Sequence, residues 1–473
     1  MSIDDELDRP HEECGLIGIF APNEDVARMA FFGLFALQHR GQEAAGIAVA
    51  NGSTMSMYKD VGMVAHIFTP QTLAPLQGHY AIGHTRYSTT GSSSMRNVQP
   101  FMIETMHGPL ALAHNGNLVN SAELRDELLR EGVGLSSSSD TEVMTMMLAR
   151  AQGPGWSERI QDCMRKWQGA YSLVILTRDC VYAVRDPWGF RPLSVGTLPS
   201  GGSAVASETG ALQTLGCEVI REIKPGEIVA LSNKALVVHQ ALEPVSPQSR
   251  CVFEFIYFAR PDHVWDERSV HHVRQRLGEE LARETHIEAD VVIPVPDSSV
   301  PAAIGFSRTA EIPYNDGFVK NRYVGRTFIE PTDSLRKRGV ALKFNVINEN
   351  VRDKRVIMID DSIVRGNTSG PLIKLLRNAG AKEVHVAITC PPIMYPCFMG
   401  VDMGVSKDLI AHKRTVDEIR EFVGADSLTY LSLDGMMRAV GRTDGYCQAC
   451  FTGQYPIPVD LSNAKTGFER GIA

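Results

Sequence analysis

Two neighbouring carboxylates, Asp360 and Asp361, follow a four-residue apolar run in the stretch VIMIDDSIVRGNTSG, residues 356–370. Such a run reads as a buried strand, and a glycine-containing loop then leads into a helix. Open α/β sheets bind ligands at the carboxyl ends of their strands, and backbone N–H groups of a loop entering a helix favour a phosphate. Asp360 and Asp361 are therefore placed to accept hydrogen bonds from ribose hydroxyls or to neighbour a divalent cation. A plain strand–turn–helix with two solvated acids would carry the same residues. Gly366 lets the backbone approach a phosphate closely, and Thr368 offers a hydroxyl. Pro371 suits the first helical turn and Gly380 its stop.

Upstream, residues 316–343 hold seven basic side chains: Lys320, Arg322, Arg326, Arg336, Lys337, Arg338 and Lys343. A basic run is most often a solvated face, and elsewhere it could mark nucleic acid; here it sits within an α/β pattern in an acidic chain. Nine cysteines, at 14, 163, 180, 217, 251, 390, 397, 447 and 450, are an odd number, which argues against a disulfide framework. Cys163, Cys180 and Cys217 read as buried fillers. Cys447 and Cys450 form a CxxC, with Cys397 and Cys251 as distant partners. Residue types leave zinc and an iron–sulfur cluster both open, zinc being commoner for an isolated site.

At roughly 100–200 residues per domain, 473 residues imply two to three domains. Hydrophobic residues at 44% and charged residues at 22% exclude wholesale disorder. A net charge of −8 argues against a nucleic-acid or anionic-membrane surface. No apolar run approaches the ~20 residues of a membrane span, and the acidic residues 1–13 do not resemble a signal peptide. A cytoplasmic protein is expected. The clearest seam is at residues 239–250 (HQALEPVSPQSR), where Pro244, Ser246, Pro247 and Ser249 interrupt two periodic regions. Before it, short strands at 15–20, 45–50, 110–114, 170–177, 181–185 and 228–231 mix with helices at 25–39, 121–131 and 141–152, which suits a layered α/β domain with mainly antiparallel sheets. After it, strands at 291–295, 356–359 and 384–389 alternate with helices at 269–284 and 371–379, the rhythm of βαβ units around a parallel sheet.

The stretch 356–370 resembles the 5-phosphoribosyl-1-pyrophosphate (PRPP) signature of type I phosphoribosyltransferases. Its surroundings, CVFEFIYFARPD (251–262), PVPDSS (294–299) and KNRYVGRTFI (320–329), are similar to the glutamine PRPP amidotransferases. That resemblance implies that Asp360 and Asp361 hold the ribose and help place Mg²⁺, with Ser298 as a further Mg²⁺-associated residue. It implies that Ile363, Val364, Arg365, Gly366, Asn367 and Thr368 receive the 5′-phosphate. Asn367 and Gly370 stand where many relatives have Thr and a basic residue. Lys320 and Arg322 belong to a loop, residues 320–345, whose cations would face the departing pyrophosphate and whose closure would exclude water.

The first half opens with EECGLIGIF (12–20), which resembles the first strand of an N-terminal-nucleophile glutamine amidotransferase. A thiolate attacking an amide needs a base, and a free α-amine with a pKa of about 7.7–8.0 supplies one. Cys14 then acts only after residues 1–13 are removed. QHRGQEAAGIA (38–48), HTRYSTTG (84–91), HNGNLVN (114–120) and SDTE (139–142) support the same resemblance. It implies that Arg86 clamps the glutamine carboxylate with a planar guanidinium, that Asp140 takes the ammonium, that Asn115 and the Gly116 N–H form an oxyanion hole, and that Arg40 orders the site.

The leader-containing branch of these enzymes has a structural [4Fe–4S] cluster in contexts that match Cys251, Cys397, Cys447 and Cys450. Cys390 is the rival ligand. The organisation so implied is a propeptide (1–13), an αββα glutaminase domain (14–245) and a phosphoribosyltransferase domain with a cluster-binding tail (246–473). The activity implied is glutamine-dependent transfer of ammonia to PRPP, subject to purine nucleotide inhibitors, in a homotetramer. A PRPP- or purine-sensing regulator would need a basic DNA-binding segment, which the sequence lacks. A paralogue with an altered transferase site is the other alternative.

Overall fold

Residues 14–86, 95–233, 236–321, 343–403 and 405–459 are described by the computed structural model. Strand Gly15–Phe20 alternates its side chains between two environments. Leu16 and Phe20 face a second sheet, whereas Ile17 and Ile19 face a helix. A one-residue slip would exchange the two sets, so the register is strongly specified.

This strand lies in a seven-stranded sheet of order Glu218–Glu222, Ser194–Thr197, Ser203–Ala206, Gly15–Phe20, Tyr80–Arg86, Ala44–Ala50 and Met55–Val61. A six-stranded sheet of order Val237–Gln240, Glu227–Leu231, Val181–Arg185, Gly169–Thr177, Gly108–Leu118 and Phe101–Thr105 packs on it. Every pairing within both sheets is antiparallel. Leu16, Ala48 and Ile82 meet Ala113, Val174 and Val229 between the sheets. Helix Val26–Ala36 covers one outer face through Ala30 and Leu34. Helices Ser121–Arg130 and Asp140–Arg150 cover the other through Leu124, Leu128 and Met144. The result is a helix–sheet–sheet–helix sandwich. Each fully buried Leu, Ile or Val contributes about 1.5–3 kcal/mol, so the central interface carries much of its stability.

The helix expected over 25–39 is shorter. It runs from the Asp25 cap to Ala36, and a 3₁₀ turn, Gln38–Arg40, then carries the Arg40 side chain into the interior. A buried guanidinium needs fixed partners, and the turn delivers it to them.

Beyond the seam a parallel sheet has the order Val291–Pro294, Arg355–Asp360, Glu383–Ile388 and Ser427–Tyr430. Asp360 ends a central strand, in register with Ile388. Helix Ser369–Asn378 follows the loop, with Pro371 in its first turn and Gly380 at φ +95° just beyond its end. The segment after the seam, which has no regular periodicity, closes a π-helical turn, Glu254–Phe258, with Ala259 N–H donating to the Glu254 carbonyl at 3.2 Å. No helix among the described residues is long and apolar enough to cross a membrane.

Candidate functional site

Cys14 lies at the head of strand Gly15–Phe20, which pairs antiparallel with Tyr80–Arg86 so that Gly15 is opposite Thr85. The pairing brings Arg86, the last residue of its strand, beside Cys14. Both side chains are buried. Burial pulls the Arg86 guanidinium below its usual range, while negative charge on Cys14, Glu43 and Asp140 works the other way. Arg86, Cys14 and Asp140 are thus electrostatic neighbours.

Asp140 is the first residue of helix Asp140–Arg150, where the helix dipole favours a carboxylate. Its Oδ2 accepts the Leu118 N–H at 3.1 Å and lies 3.5 Å from His114 Nδ1. Burial raises its pKa, yet His114 and these hydrogen bonds more than offset that and leave it below the ordinary value. Asp140 is held as an anion.

Strand Gly108–Leu118 carries Asn115 and Gly116. Asn115 Nδ2 is buried and has no hydrogen-bond partner among the described residues. Leaving such a donor unmet costs roughly 1–3 kcal/mol, and an oxyanion is the acceptor it suits. Gly116 has φ +144°, and a Cβ there would lie 2.0 Å from the Ala170 carbonyl oxygen. Only glycine fits.

Arg40 Nε donates to the Cys14 carbonyl at 3.1 Å. Its other nitrogens reach Glu208 Oε1 at 2.7 Å and both oxygens of Glu254, at 2.7 and 2.9 Å. The sequence reading did not single out Glu208 or Glu254. A legible signal existed at Glu254, a carboxylate within the aromatic run CVFEFIYF, where an unpaired charge would be expelled from the core.

At the second site Asp360 and Asp361 are both buried. Ser298 Oγ donates to Asp361 Oδ2 at 2.6 Å, Ser299 Oγ to Asp360 Oδ1 at 3.2 Å, and Ser362 Oγ to Asp361 Oδ1 at 2.8 Å. Ser298 therefore stands against the acid pair, and Ser299 is a further member that the motif comparison did not single out. A hydroxyl-lined carboxylate pair is an all-oxygen donor set, which suits Mg²⁺.

Ile363 and Val364 are buried and fix the loop by packing, and Ile410 N–H donates to the Val364 carbonyl at 2.8 Å. Gly366 has φ +80° and is packed so closely that a Cβ would lie 2.8 Å from Phe422. Arg365 is half-buried, Asn367 is exposed, and Thr368 occupies the N-cap position of helix Ser369–Asn378. Lys320 ends strand Phe318–Lys320 and its Nζ donates to Asp297 at 2.8 Å. Arg322 and most of the basic run, residues 322–342, lie outside the described residues, as do residues 1–13 and 87–94. Arg274, on helix Val270–Glu284, is pulled down to about 10 by burial, with Asp361 acting to raise it.

The C-terminal cysteines meet at the junction of three segments. Cys251 is in register with Cys447 in a short parallel pairing. Met394 and Tyr395 N–H groups both donate to the Cys450 carbonyl at 3.0 Å, which brings the Cys397 segment to Cys450. Cys397 Sγ accepts the Met399 N–H at 3.3 Å. Burial pushes the Cys450 thiol well up, and the neighbouring sulfurs of Cys447, Cys397, Cys251 and Cys390 push it further. Cys447 is pushed up to about 12, chiefly by burial. Among the described residues no three His, Cys, Asp or Glu side chains already stand in ligating geometry. Even so, thiols gathered here, with Cys450 buried and Cys251, Cys397 and Cys447 partly so, fit a cationic centre, since the surroundings disfavour their thiolates and ligation is what stabilises them.

A glutamine amidotransferase domain matches residues 84–214, and a phosphoribosyl transferase domain matches residues 268–397. The class is therefore a glutamine amidotransferase joined to a phosphoribosyltransferase. The chain is 49% identical to the amidophosphoribosyltransferase of Synechococcus elongatus, over 98% of this chain and 95% of that one. It is 46% identical to that of Methanocaldococcus jannaschii and 42% to that of Homo sapiens, each over 95% of this chain and 98% of the relative. Among solved structures, the glutamine PRPP amidotransferase from B. subtilis complexed with ADP and GMP superimposes with a TM-score of 0.89 at 42% identity, covering 94% of this chain and 98% of that one. The chain belongs to the amidophosphoribosyltransferase family.

Proposed function

We propose that this chain releases ammonia from glutamine at Cys14 and adds it to the anomeric carbon of PRPP held by Asp360 and Asp361. Glutamine, PRPP and water give 5-phosphoribosylamine, glutamate and pyrophosphate, the first committed step of purine synthesis. The reading assigns residues 14–245 to the glutaminase and 246–473 to the transferase.

In this reading residues 1–13 are removed, and the exposed α-amine of Cys14 takes the thiol proton as the sulfur attacks the glutamine carboxamide. Arg86 binds the substrate carboxylate and Asp140 its ammonium. Asn115 Nδ2 and the Gly116 N–H hold the oxyanion, a contribution of about 3–4 kcal/mol per donor. The buried amide of Asn115, without a partner among the described residues and beside Gly116 on the strand Gly108–Leu118, is the observation that carries this assignment.

At the other site the two carboxylates hold the ribose hydroxyls, and backbone N–H groups from Ile363 to Thr368 receive the 5′-phosphate. Mg²⁺ held by Asp360, Asp361 and Ser298 would neutralise the pyrophosphate as it departs. Lys320 adds positive charge on that side, and the same role is proposed for Arg322, which lies outside the described residues. Ammonia is mostly protonated in water near neutral pH, so a passage that excludes bulk water has to join the sites, closed by the basic loop when PRPP binds. Purified protein is expected to release glutamate and pyrophosphate in equal amounts, with glutamate release slow until PRPP is added. Full glutaminase activity without PRPP contradicts the coupling. Adding ADP and GMP to this assay tests purine nucleotide inhibition, and light scattering tests the homotetramer.

The cysteines 251, 397, 447 and 450 would hold one [4Fe–4S] cluster, which ties the seam segment to the tail without electron transfer. Anaerobically purified protein is expected to contain iron and acid-labile sulfide, with Cys251→Ser lowering both. Zinc in place of iron, or full iron and sulfide in the variant, overturns this assignment.

A further inference from the structure

We propose that Glu254 positions both halves of the glutamine site, the nucleophile through Arg40 and the oxyanion glycine through Arg191. The inference rests on the functional reading above and adds to it a residue from beyond the seam.

Glu254 is completely buried. Its two oxygens form a bidentate pair with Arg40, whose Nε holds the Cys14 carbonyl at 3.1 Å. Planar, two-bonded pairing of this kind fixes orientation as well as distance. Arg191 Nη1 lies 3.9 Å from Glu254 Oε1, and its Nη2 donates to the Met399 carbonyl at 2.6 Å.

Met399 belongs to the segment that follows Cys397, and this segment is laid against the oxyanion strand. Asn117 Nδ2 donates to the Phe398 carbonyl at 2.9 Å. Gly400, at φ +108°, packs so tightly that a Cβ there would lie 3.0 Å from both Cα and C of Gly116. One carboxylate therefore holds Arg40 by two hydrogen bonds and lies within ion-pair distance of Arg191. The first orients the backbone of the attacking residue. The second pins the segment that backs the Gly116 peptide.

Burial raises the Glu254 carboxyl pKa, but Arg40 and Arg191 more than offset this and hold it ionised. A neutral amide at this position would leave Arg40 with Glu208 as its carboxylate partner and would remove the ion pair that reaches Arg191. Nucleophile and oxyanion donor would then lose their common anchor, and a displacement near 1 Å can cost on the order of 10²-fold in rate.

The test is Glu254→Gln, compared with the unmodified protein using glutamine or ammonium as nitrogen source and PRPP as acceptor. Glutamine-dependent kcat is expected to fall on the order of 10²-fold, with ammonium-dependent transfer unchanged. Labelling of Cys14 by a glutamine-like diazoketone should slow in parallel. Gly400→Ala crowds Gly116 and Arg191 on the oxyanion arm without touching Arg40; it should lower glutamine-dependent kcat without slowing alkylation of Cys14 by iodoacetamide. Full glutamine activity in Glu254→Gln overturns the proposal, as does an equal loss with both nitrogen sources. Should Glu254→Gln fail to fold, unchanged glutamine turnover in Gly400→Ala overturns it. Absence of PRPP-dependent chemistry in the unmodified protein would instead count against the functional reading itself.

Discussion

Cys14→Ala is expected to lose glutamine-dependent phosphoribosylamine formation by at least ~10³-fold, while ammonium-dependent formation persists. The size of the loss follows from the chemistry. Without the sulfur there is no covalent intermediate, and the binding and oxyanion groups can only assist direct attack by water. Persistence of the ammonium reaction follows from the architecture. Cys14 heads a strand of the antiparallel sandwich, whereas the acid pair ends a strand of a separate parallel sheet. Cys14 is buried, so alanine in its place leaves a small void rather than an exposed defect. Parallel assays with glutamine and with ammonium at elevated pH, where more of the amine is free, measure both quantities. Equal loss in the two assays would mean that Cys14 serves the structure rather than the attack.

Asp361→Asn should behave differently, lowering glutamine- and ammonium-dependent synthesis together by roughly 10²–10³-fold. Asp361 accepts from Ser298 and Ser362 at the end of its strand, and the buried Arg274 senses its charge. An asparagine keeps the shape but removes the anion that would hold the ribose and Mg²⁺. Its amide nitrogen would also meet one of the serine hydroxyls that now donates to it, although a hydroxyl can rotate to accept instead. The loss should therefore appear in the PRPP dependence of rate and in Mg²⁺ requirement rather than in folding. Initial rates across PRPP and Mg²⁺ concentrations check this. An unchanged PRPP dependence would place the sugar elsewhere.

The acid pair and its loop were legible because their signal is local. An apolar run, two carboxylates, a glycine and a helix start lie within residues 356–370, and the parallel sheet places them at a strand end as expected. A layered domain with mainly antiparallel sheets was legible from the short strands mixed with helices before the seam. The two-sheet sandwich came instead from the family resemblance, because a strand such as Gly15–Phe20, buried on both faces, carries no polar alternation to report it. The Arg40–Glu254–Arg191 cluster was not legible, although the resemblance assigns Arg40 to ordering the site. Its members are separated by hundreds of residues or tens of residues and belong to a 3₁₀ turn, a π-helical turn and a loop, none of which has a periodic pattern. Ser299 was missed for a smaller reason: it is a polar residue next to a recognised one, and only the fold shows that it points to Asp360 rather than to solvent. Helix Val26–Ala36 ended earlier than its apolar residues imply because a buried arginine demanded a turn.

The mechanism depends above all on the state of the amine that accompanies the Cys14 thiol. N-terminal sequencing of catalytically active protein, with intact mass on the same sample, tests this most directly. The expected first residue is cysteine followed by Gly-Leu-Ile, with a mass lower than the encoded chain by that of residues 1–13. Fully active protein that still begins at Met1 would show that another base serves the thiol.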